Sequence, residues 1–274
     1  MLAANEAVAQ HLTAKRIPLI YRNHDEPNTE RLSGLLPVLR SLGLKQRIPA
    51  KRPTPKDYQA VVEQTAPLRV SRIIHRLLLR TLSLAVYDCE NRGHFGLASH
   101  CYTHFTSPIR RYPDLMVHRI LKEHLRGKGK RQGPSREAWE EELAAIAKTS
   151  SKLERRAERV DRDMATLKTL QYLEPRVGEE VDAIISGVSS FGVWVELLDT
   201  PAEGFAHIST LGEEWFEFDE QMHLLRGEET GQIWRLGQEV RVTLTAVDFI
   251  GLELTVTLRS EPRRPAGRKR RGRR

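Results

Sequence analysis

The spacing of apolar positions divides the chain into a helical front and a strand-rich back. Leu2, Ala3, Ala4, Glu6, Ala7, Val8 and Ala9 form a helix-like run that opens at Met1 with no capping residue before it, the expectation for a chain cut from something longer. The Asn, Asp and Pro of YRNHDEPN predict a loop, followed by a Leu-rich helix from about Arg31 to Leu44 and a basic connector, KQRIPAKRPTPK. Between about Pro67 and Tyr87, Ile73, Ile74, Leu77, Leu78, Leu82, Ala85 and Val86 recur at the spacing of a packed helix. NRGHFGLASHCYTHF lacks that period and reads as a loop followed by a short strand. In TSPIRRYPDL, Ser107 is expected to cap a helix and Pro108 to occupy its first position; Val117, Ile120, Leu121 and His124 carry the helical spacing on to the break GKGKRQGP. From Trp139 to Leu167, apolar or small residues alternate at four and three, through Leu143, Ile146, Ser150, Leu153, Ala157, Val160 and Met164. This predicts one amphipathic helix of roughly 45 Å, packed against a large domain rather than in a coiled coil and ended by Pro175 and Gly178.

Beyond Val177 the period switches to two. Val193, Val195 and Leu197 alternate with Trp194 and Glu196; Val240, Val242, Leu244 and Ala246 form a second such run, and Leu252, Leu254, Val256 and Leu258 a third. Half-buried antiparallel strands in about 80 residues have the pattern of a five-stranded barrel. The predicted fold class is therefore α+β: a mostly helical region over 1–174, a five-stranded antiparallel barrel over 175–260, and a disordered basic tail over 261–274.

Charge sharpens this picture. The formal net charge is +8, and eight Lys/Arg against one Glu between Glu261 and Arg274 supply +7 of it. A body near neutrality with a basic arm suits phosphate neutralisation by counterion release, so RNA is the expected partner of Arg268, Lys269, Arg270 and Arg271. No apolar run reaches the roughly 18 residues of a membrane span, and no basic segment leads into an apolar secretory core. A cytoplasmic location with no membrane partner is expected. Cys89 and Cys101 are spaced too widely for a CxxC pair and read as structural or incidental thiols.

Candidate chemistry falls in three places. Trp194 lies on the polar face of a strand that buries its other side, with Phe191 at the Gly192 turn and His207 following in EGFAHIS. Such aromatics suit base stacking, and a Trp half-covered by a loop is the alternative. Around TSPIRRYPD two guanidinium groups stand beside a helix start, a setting for phosphate; Arg111 with Asp114 could equally be an internal salt bridge, and Tyr112 reads as core. His94, His100 and His104 sit in a strand-like region without an acidic ligand nearby, and read as hydrogen-bonding groups along an RNA channel rather than as a metal site. Arg155, Arg159 and Arg162 interleave with Glu154, Glu158 and Asp161, the pattern of a solvated face.

Two segments carry a resemblance to known families. VGEEVDAIISGVSSFGVWVELLDTPAEGFAHISTL resembles an S1 RNA-binding domain, an oligonucleotide-binding barrel whose motif places the residues matching Phe191, Trp194 and His207 on its RNA face. NRGHFGLASHCYTHFTSPIRRYPDLMVHR closely resembles the signature near the end of the catalytic domain in the RNB family of exoribonucleases, the ribonuclease II and ribonuclease R type. MLAANEAVA, YRNHDEPN and the helix from Glu154 to Lys168 fit the same pattern. The resemblance implies that Arg110 is the catalytic arginine that stabilises the scissile phosphate, and that Tyr102, His104 and Arg111 lie along the RNA path. It also implies an acidic residue of the long helix near the active site, among Glu154, Glu158 and Asp161.

Family members hydrolyse single-stranded RNA from the 3′ end with Mg²⁺ held by clustered aspartates. The resemblance places that cluster upstream of the matched part, and here Asp25, Asp57, Asp88, Asp114, Asp161 and Asp163 are scattered. This chain alone is expected to hold no Mg²⁺ and to be inactive. Three readings stand: an exoribonuclease portion that hydrolyses only with the missing N-terminal half as partner, a free-standing S1 protein binding RNA such as ribosome-associated RNA, and a nonfunctional gene product.

Overall fold

The computed structural model describes residues 1–44, 48–49, 51–127, 135–220 and 222–258, leaving out the side chain of Arg136. The tail residues Arg268, Lys269, Arg270 and Arg271 lie outside the described residues. The chain forms two compact units, Met1–Asp163 and Met164–Arg274. Among the described residues no helix is long and apolar enough to cross a membrane.

In the first unit, helix α1 (Leu2–Ala14) starts on Met1 without a side-chain cap and turns Asn5, Ala9 and Leu12 inward, one face at i, i+4 and i+7. Tyr21–Asn23, expected as loop, forms strand β1 and pairs antiparallel with β2 (Val86–Asp88). The helix expected through Val86 therefore stops early: α4 spans Ser71–Thr81, and the apolar residues after it feed a strand. Helix α2 (Thr29–Ser41) is capped by the Asn28 side chain, which accepts from the Arg31 amide at 2.9 Å. Between them lies a helix that the apolar spacing missed, α3 (Pro55–Thr65), opened by a reciprocal capping box between Thr54 and Asp57 with Pro55 in the first turn. Leu32, Leu39, Val61, Ile74 and Leu78 from α2, α3 and α4 close one core. Leu12, Ile20, Tyr87, Val117, Ile120 and Leu143 close another.

Helix α5 spans Tyr112–Leu125, with Arg111 at its N-cap and Pro113 in its first turn. Ser107 and Pro108 thus do not start the helix as expected; they belong to a turn ahead of it. The stretch read as a loop followed by a short strand forms no strand; after Ala98 it makes a single bridge, Ser99 with His94, and the Tyr102 carbonyl accepts from the Arg22 amide at 2.9 Å. The long helix is present as α6 (Arg136–Leu173), ending in a 3-10 turn at Glu174–Arg176. Its expected seam packs only in part. Leu143 is buried and Trp139 and Ile146 pack beside it, whereas Leu153, Val160 and Met164 are 55%, 53% and 49% exposed.

The second unit is a closed barrel of strands β3 (Glu180–Ser189), β4 (Gly192–Leu197), β5 (Glu203–His207), β9 (Glu239–Asp248) and β10 (Glu253–Leu258). Four neighbouring pairs are antiparallel, as predicted, but β10 closes on β5 in parallel. Alternate residues Val193, Val195, Leu197, Val242, Leu244, Leu254 and Val256 fill the interior together with Leu170 and Leu173. Between β5 and β9 the chain adds a three-stranded antiparallel sheet absent from the sequence reading: β6 (Phe216–Asp219), β7 (Leu224–Gly227) and β8 (Ile233–Arg235). Leu225 and Trp234 of this sheet are buried in the same core as the barrel.

Candidate nucleic-acid interface

On the barrel, β4 and β5 pair Trp194 with Phe205 and Gly192 with His207. Alternation along each strand sends Trp194 and Phe205 to the outer face while Val193, Val195 and Ala206 fill the core. Trp194 and Phe205 have centroids 5.1 Å apart, and Phe191 stands edge-on to Trp194 at 5.6 Å. Two glycines make room. A Cβ at Gly192 would run into the carbonyl oxygen of Ala206, and Gly187 sits opposite Trp194, where a Cβ would lie 3.2 Å from its ring. Phe191 is 53% exposed, Trp194 and Phe205 are half-buried, and His207 is exposed, so the rings offer faces and edges to solvent from a rigid sheet.

His207 Nδ1 accepts from the Ser209 amide at 3.2 Å, which leaves Nε2–H as a donor. The sequence reading named Phe191, Trp194 and His207, and the barrel brings all three together. It missed Phe205, whose signal was its position two residues before His207, hence on the same strand face. β4 and β5 carry no Lys or Arg, and Glu196 pairs directly with Glu203 at the far end of this face. These two strands thus present aromatic rings, one imidazole and carboxylates but no guanidinium or ammonium group.

In the first unit, Asp114 organises the turn before α5. Its carboxylate is fully buried and accepts from the Ser107 amide at 2.8 Å and from Arg111 Nε and Nη2 at 2.9 and 2.7 Å. The salt-bridge alternative for Arg111 is the one that forms, and it occupies one edge of that guanidinium. Ile109 and Arg110 project from the turn, both exposed, and no described group bonds the Arg110 guanidinium. Tyr112, read as core, is 51% exposed, because Pro113 and Asp114 take the inward positions of the first helical turn.

Tyr102 and His104 were expected to meet RNA; the structure buries Tyr102 and leaves His104 partly exposed. Tyr102 is 4% exposed, wedged between His94 and His104 at centroid distances of 5.3 and 5.8 Å, and its hydroxyl accepts from Asn5 Nδ2 at 2.8 Å. His104 Nδ1 shares a 2.9 Å hydrogen bond with the Tyr87 hydroxyl. Burial, then Glu154, pushes the Tyr87 phenol up to about 12, so it stays protonated. Arg22 lies over the Tyr87 ring at 4.6 Å and donates to Glu154 at 2.5 Å. Of the three acidic residues left open on the long helix, Glu154 is the one turned inward; Glu158 and Asp161 are exposed. His94 and His100 line an open cavity of about 600 Å³ with His24 and Arg92. Among the described residues no three His, Cys, Asp or Glu side chains converge to hold an ion, so none is assigned to magnesium.

Burial pushes His94 and His104 down to about 4, reinforced at His94 by His24 and Arg22 and at His104 by Arg111 and Arg22. Both rings are neutral in the folded chain above that pH. An unfolded histidine binds its proton near ~6.5, so the unfolded state takes up more protons below that value and stability falls as the pH drops from about 6.5 toward about 4. After discounting for partial exposure, the loss between about pH 6.5 and 5 is about 1–2 kcal/mol. Thermal unfolding of the full chain at the two pH values checks this. His104→Asn is expected to flatten the pH slope, and an unchanged slope contradicts the neutral assignment of His104.

Comparison with known proteins fits both halves of this arrangement. The RNB domain family matches residues 1–127 and the S1 RNA binding domain family matches residues 174–249. Ribonuclease R of Aquifex aeolicus is 40% identical over 251 residues, covering 90% of this chain and 34% of the relative. Ribonuclease R of Escherichia coli is 37% identical over 271 residues, covering 97% of this chain and 33% of the relative. The solved Mycoplasma genitalium RNase R in complex with ribose methylated single-stranded RNA superimposes with a TM-score of 0.87 at 31% identity, over 94% of this chain and 40% of that one. The chain thus spans about a third of the length of these two curated relatives. It carries an RNB domain followed by an S1 RNA-binding domain, and over almost its whole length it is similar to ribonuclease R.

Proposed function

We propose that this chain binds single-stranded RNA on the Phe191, Trp194, Phe205 and His207 face of its S1 domain and presents Arg110 to the scissile phosphate of a 3′-to-5′ hydrolytic exoribonuclease. The observation that carries this reading is the aromatic cluster itself, held on a rigid sheet with its rings open to solvent. Bases stack on such rings irrespective of sequence. Arg268, Lys269, Arg270 and Arg271 neutralise the backbone that the aromatic face leaves unpaired. RNA bound to the M. genitalium relative, whose fold this chain shares, supports the same ligand class.

Arg110 suits the reaction because its guanidinium is unspent while the neighbouring Arg111 is tied to Asp114. A planar fork can donate two N–H bonds to nonbridging phosphate oxygens and offset the charge that builds there as water attacks. Arg111 keeps a free edge for the adjoining phosphate, and Tyr102 and His104 act on the RNA path indirectly, by fixing the segment that leads into the turn. Glu154 is the acidic helix residue on this side of the unit. Magnesium belongs to the complete family enzyme, and hydrolysis here requires an aspartate-bearing part outside these 274 residues. The expected setting is the cytoplasm, with ribosome-associated RNA among the accessible substrates. A free-standing S1 binder without catalysis is the second reading, favoured by an aromatic face that the barrel builds from its own strands.

The test is to incubate the full chain with 5′-labelled single-stranded RNA and Mg²⁺ and run native and denaturing gels together. Retarded RNA of unchanged length is the expected result. Shortening to small end products, abolished by Arg110→Ala, overturns the dependence on a second part. Absence of any retarded species overturns the RNA reading.

A further inference from the structure

The three-stranded sheet between β5 and β9 has an inner and an outer face. Phe216, Phe218, Leu225 and Trp234 point into the barrel core. The outer face carries Trp215, which is 82% exposed, and Ile233, 39% exposed, among Glu217, Asp219, Arg226 and Arg235. The main chain at Trp215 is fixed in place. Its carbonyl accepts from the Glu228 amide at 2.9 Å, and the adjacent Glu214 carboxylate clasps the β7–β8 turn through the amides of Glu229 and Thr230 at 2.8 and 2.9 Å and through the Thr230 hydroxyl. A Cβ at Gly227 would run into that carboxylate, so the clasp is close-fitting.

Acidity alone would describe a solvated edge. It does not account for an indole just ahead of the edge strand β6 with 82% of its surface in water. From Glu213 to Arg235 the sequence has seven carboxylates against two arginines, within a protein whose net charge is +8. Phosphates are repelled from such a surface, so Trp215 is no extension of the base-stacking face. What fits an exposed indole in a net acidic segment is a guanidinium or ammonium group, attracted by the ring face and by that net charge.

We propose that this sheet is the docking surface for the chain's own basic C-terminal segment, residues 261–274. Charge complementarity favours that occupant: the segment holds eight Lys/Arg and one Glu. Its reach allows it, since the 16 residues after Leu258 extend to roughly 50 Å, whereas a domain of this size is only about 30 Å across. Tethering also raises the effective concentration of the segment far above that of a separate basic protein. The segment that binds RNA backbone is thereby held on the S1 domain until phosphates compete for it, a consequence that rests on the RNA reading above.

The test labels the full chain with 5-fluorotryptophan, giving one ¹⁹F resonance each for Trp139, Trp194, Trp215 and Trp234, with Trp215→Phe assigning its own. The comparison is a chain whose eight tail Lys/Arg are replaced by Gln, which leaves every described residue intact. At low salt the Trp215 resonance is expected to differ between the two chains, to converge at high salt and to be independent of protein concentration, while the other three coincide. Coincident Trp215 resonances at low salt overturn the proposal. A difference that grows with concentration also overturns it, by assigning the contact to a second copy's tail. In RNA titrations at low salt, Trp215→Ala is expected to tighten binding about 3- to 10-fold by freeing the tail, and unchanged affinity contradicts the competition. If no variant binds RNA while the low-salt difference persists, docking stands and the RNA reading falls.

Discussion

Asp114→Ala lowers the stability of the first unit by about 3 kcal/mol and releases the turn that carries Arg110. The carboxylate is fully buried and accepts three hydrogen bonds, one from the Ser107 amide and two from Arg111. Truncating it leaves a mostly buried guanidinium without its counter-charge and a backbone N–H without an acceptor, and breaking a buried pair from one side costs about 3–5 kcal/mol. The lower end applies, since the Arg111 side chain keeps 20% of its surface in solvent. Asp114→Asn is expected to lose less, because its side-chain oxygen still accepts from Ser107. Chemical denaturation reads the stability, and hydrogen exchange of residues 107–111 reads the turn. Equal exchange in wild type and Asp114→Ala would show that something other than this carboxylate holds the turn.

Trp194→Ala weakens single-stranded RNA binding by about 5- to 150-fold, the ~1–3 kcal/mol lost when one stacked base loses its aromatic partner. Phe191→Ala, at a more exposed position, weakens it by a smaller factor. The two rings are 5.6 Å apart edge-on, so the double variant loses less than the product of the two. Because Trp194 also covers the strand at Gly187, Trp194→Leu serves as the companion that keeps apolar cover and removes the stacking plane. Fluorescence anisotropy with a labelled oligonucleotide measures all four. Affinity unchanged in Trp194→Ala with the fold intact would remove stacking from the account.

The barrel was legible because its long strands bury one face and expose the other, so Val193, Val195 and Leu197 announce their face by period alone. The β6–β8 sheet was not, because its strands are three or four residues long, too short to show a period. The parallel closure of β10 on β5 leaves no local mark, since pairing partners lie some fifty positions apart. In the first unit, apolar spacing found α2, α4, α5 and α6 but overran α4, because Ala85 and Val86 serve a strand as readily as a helix. Helix α3 is weakly apolar, and its signal lay in the Thr54–Asp57 capping box.

The same division runs through the candidate site. Phe191, Trp194 and His207 were readable because one strand face and one turn carry them. The surroundings of Tyr102 and His104 were not readable, because aromatic and imidazole side chains occupy both surfaces and interiors, and only the fold shows Asn5 bonded to the buried Tyr102 and Tyr87 to the partly exposed His104. Arg110 was named with Arg111, and what separates them is the buried Asp114, which ties one and leaves the other free. The regular seam on α6 gave the helix but not what covers it, as the exposure of Leu153, Val160 and Met164 shows.

The central claim is that the aromatic face of the S1 domain, not the basic tail alone, holds the bases of single-stranded RNA. Ultraviolet cross-linking of the full chain to a single-stranded oligouridine, with adducts mapped by mass spectrometry, tests it most directly. The account predicts adducts at Phe191, Trp194, Phe205 or His207, lost from the barrel in Trp194→Ala. Adducts confined to residues 261–274, with the barrel unmodified, would contradict it.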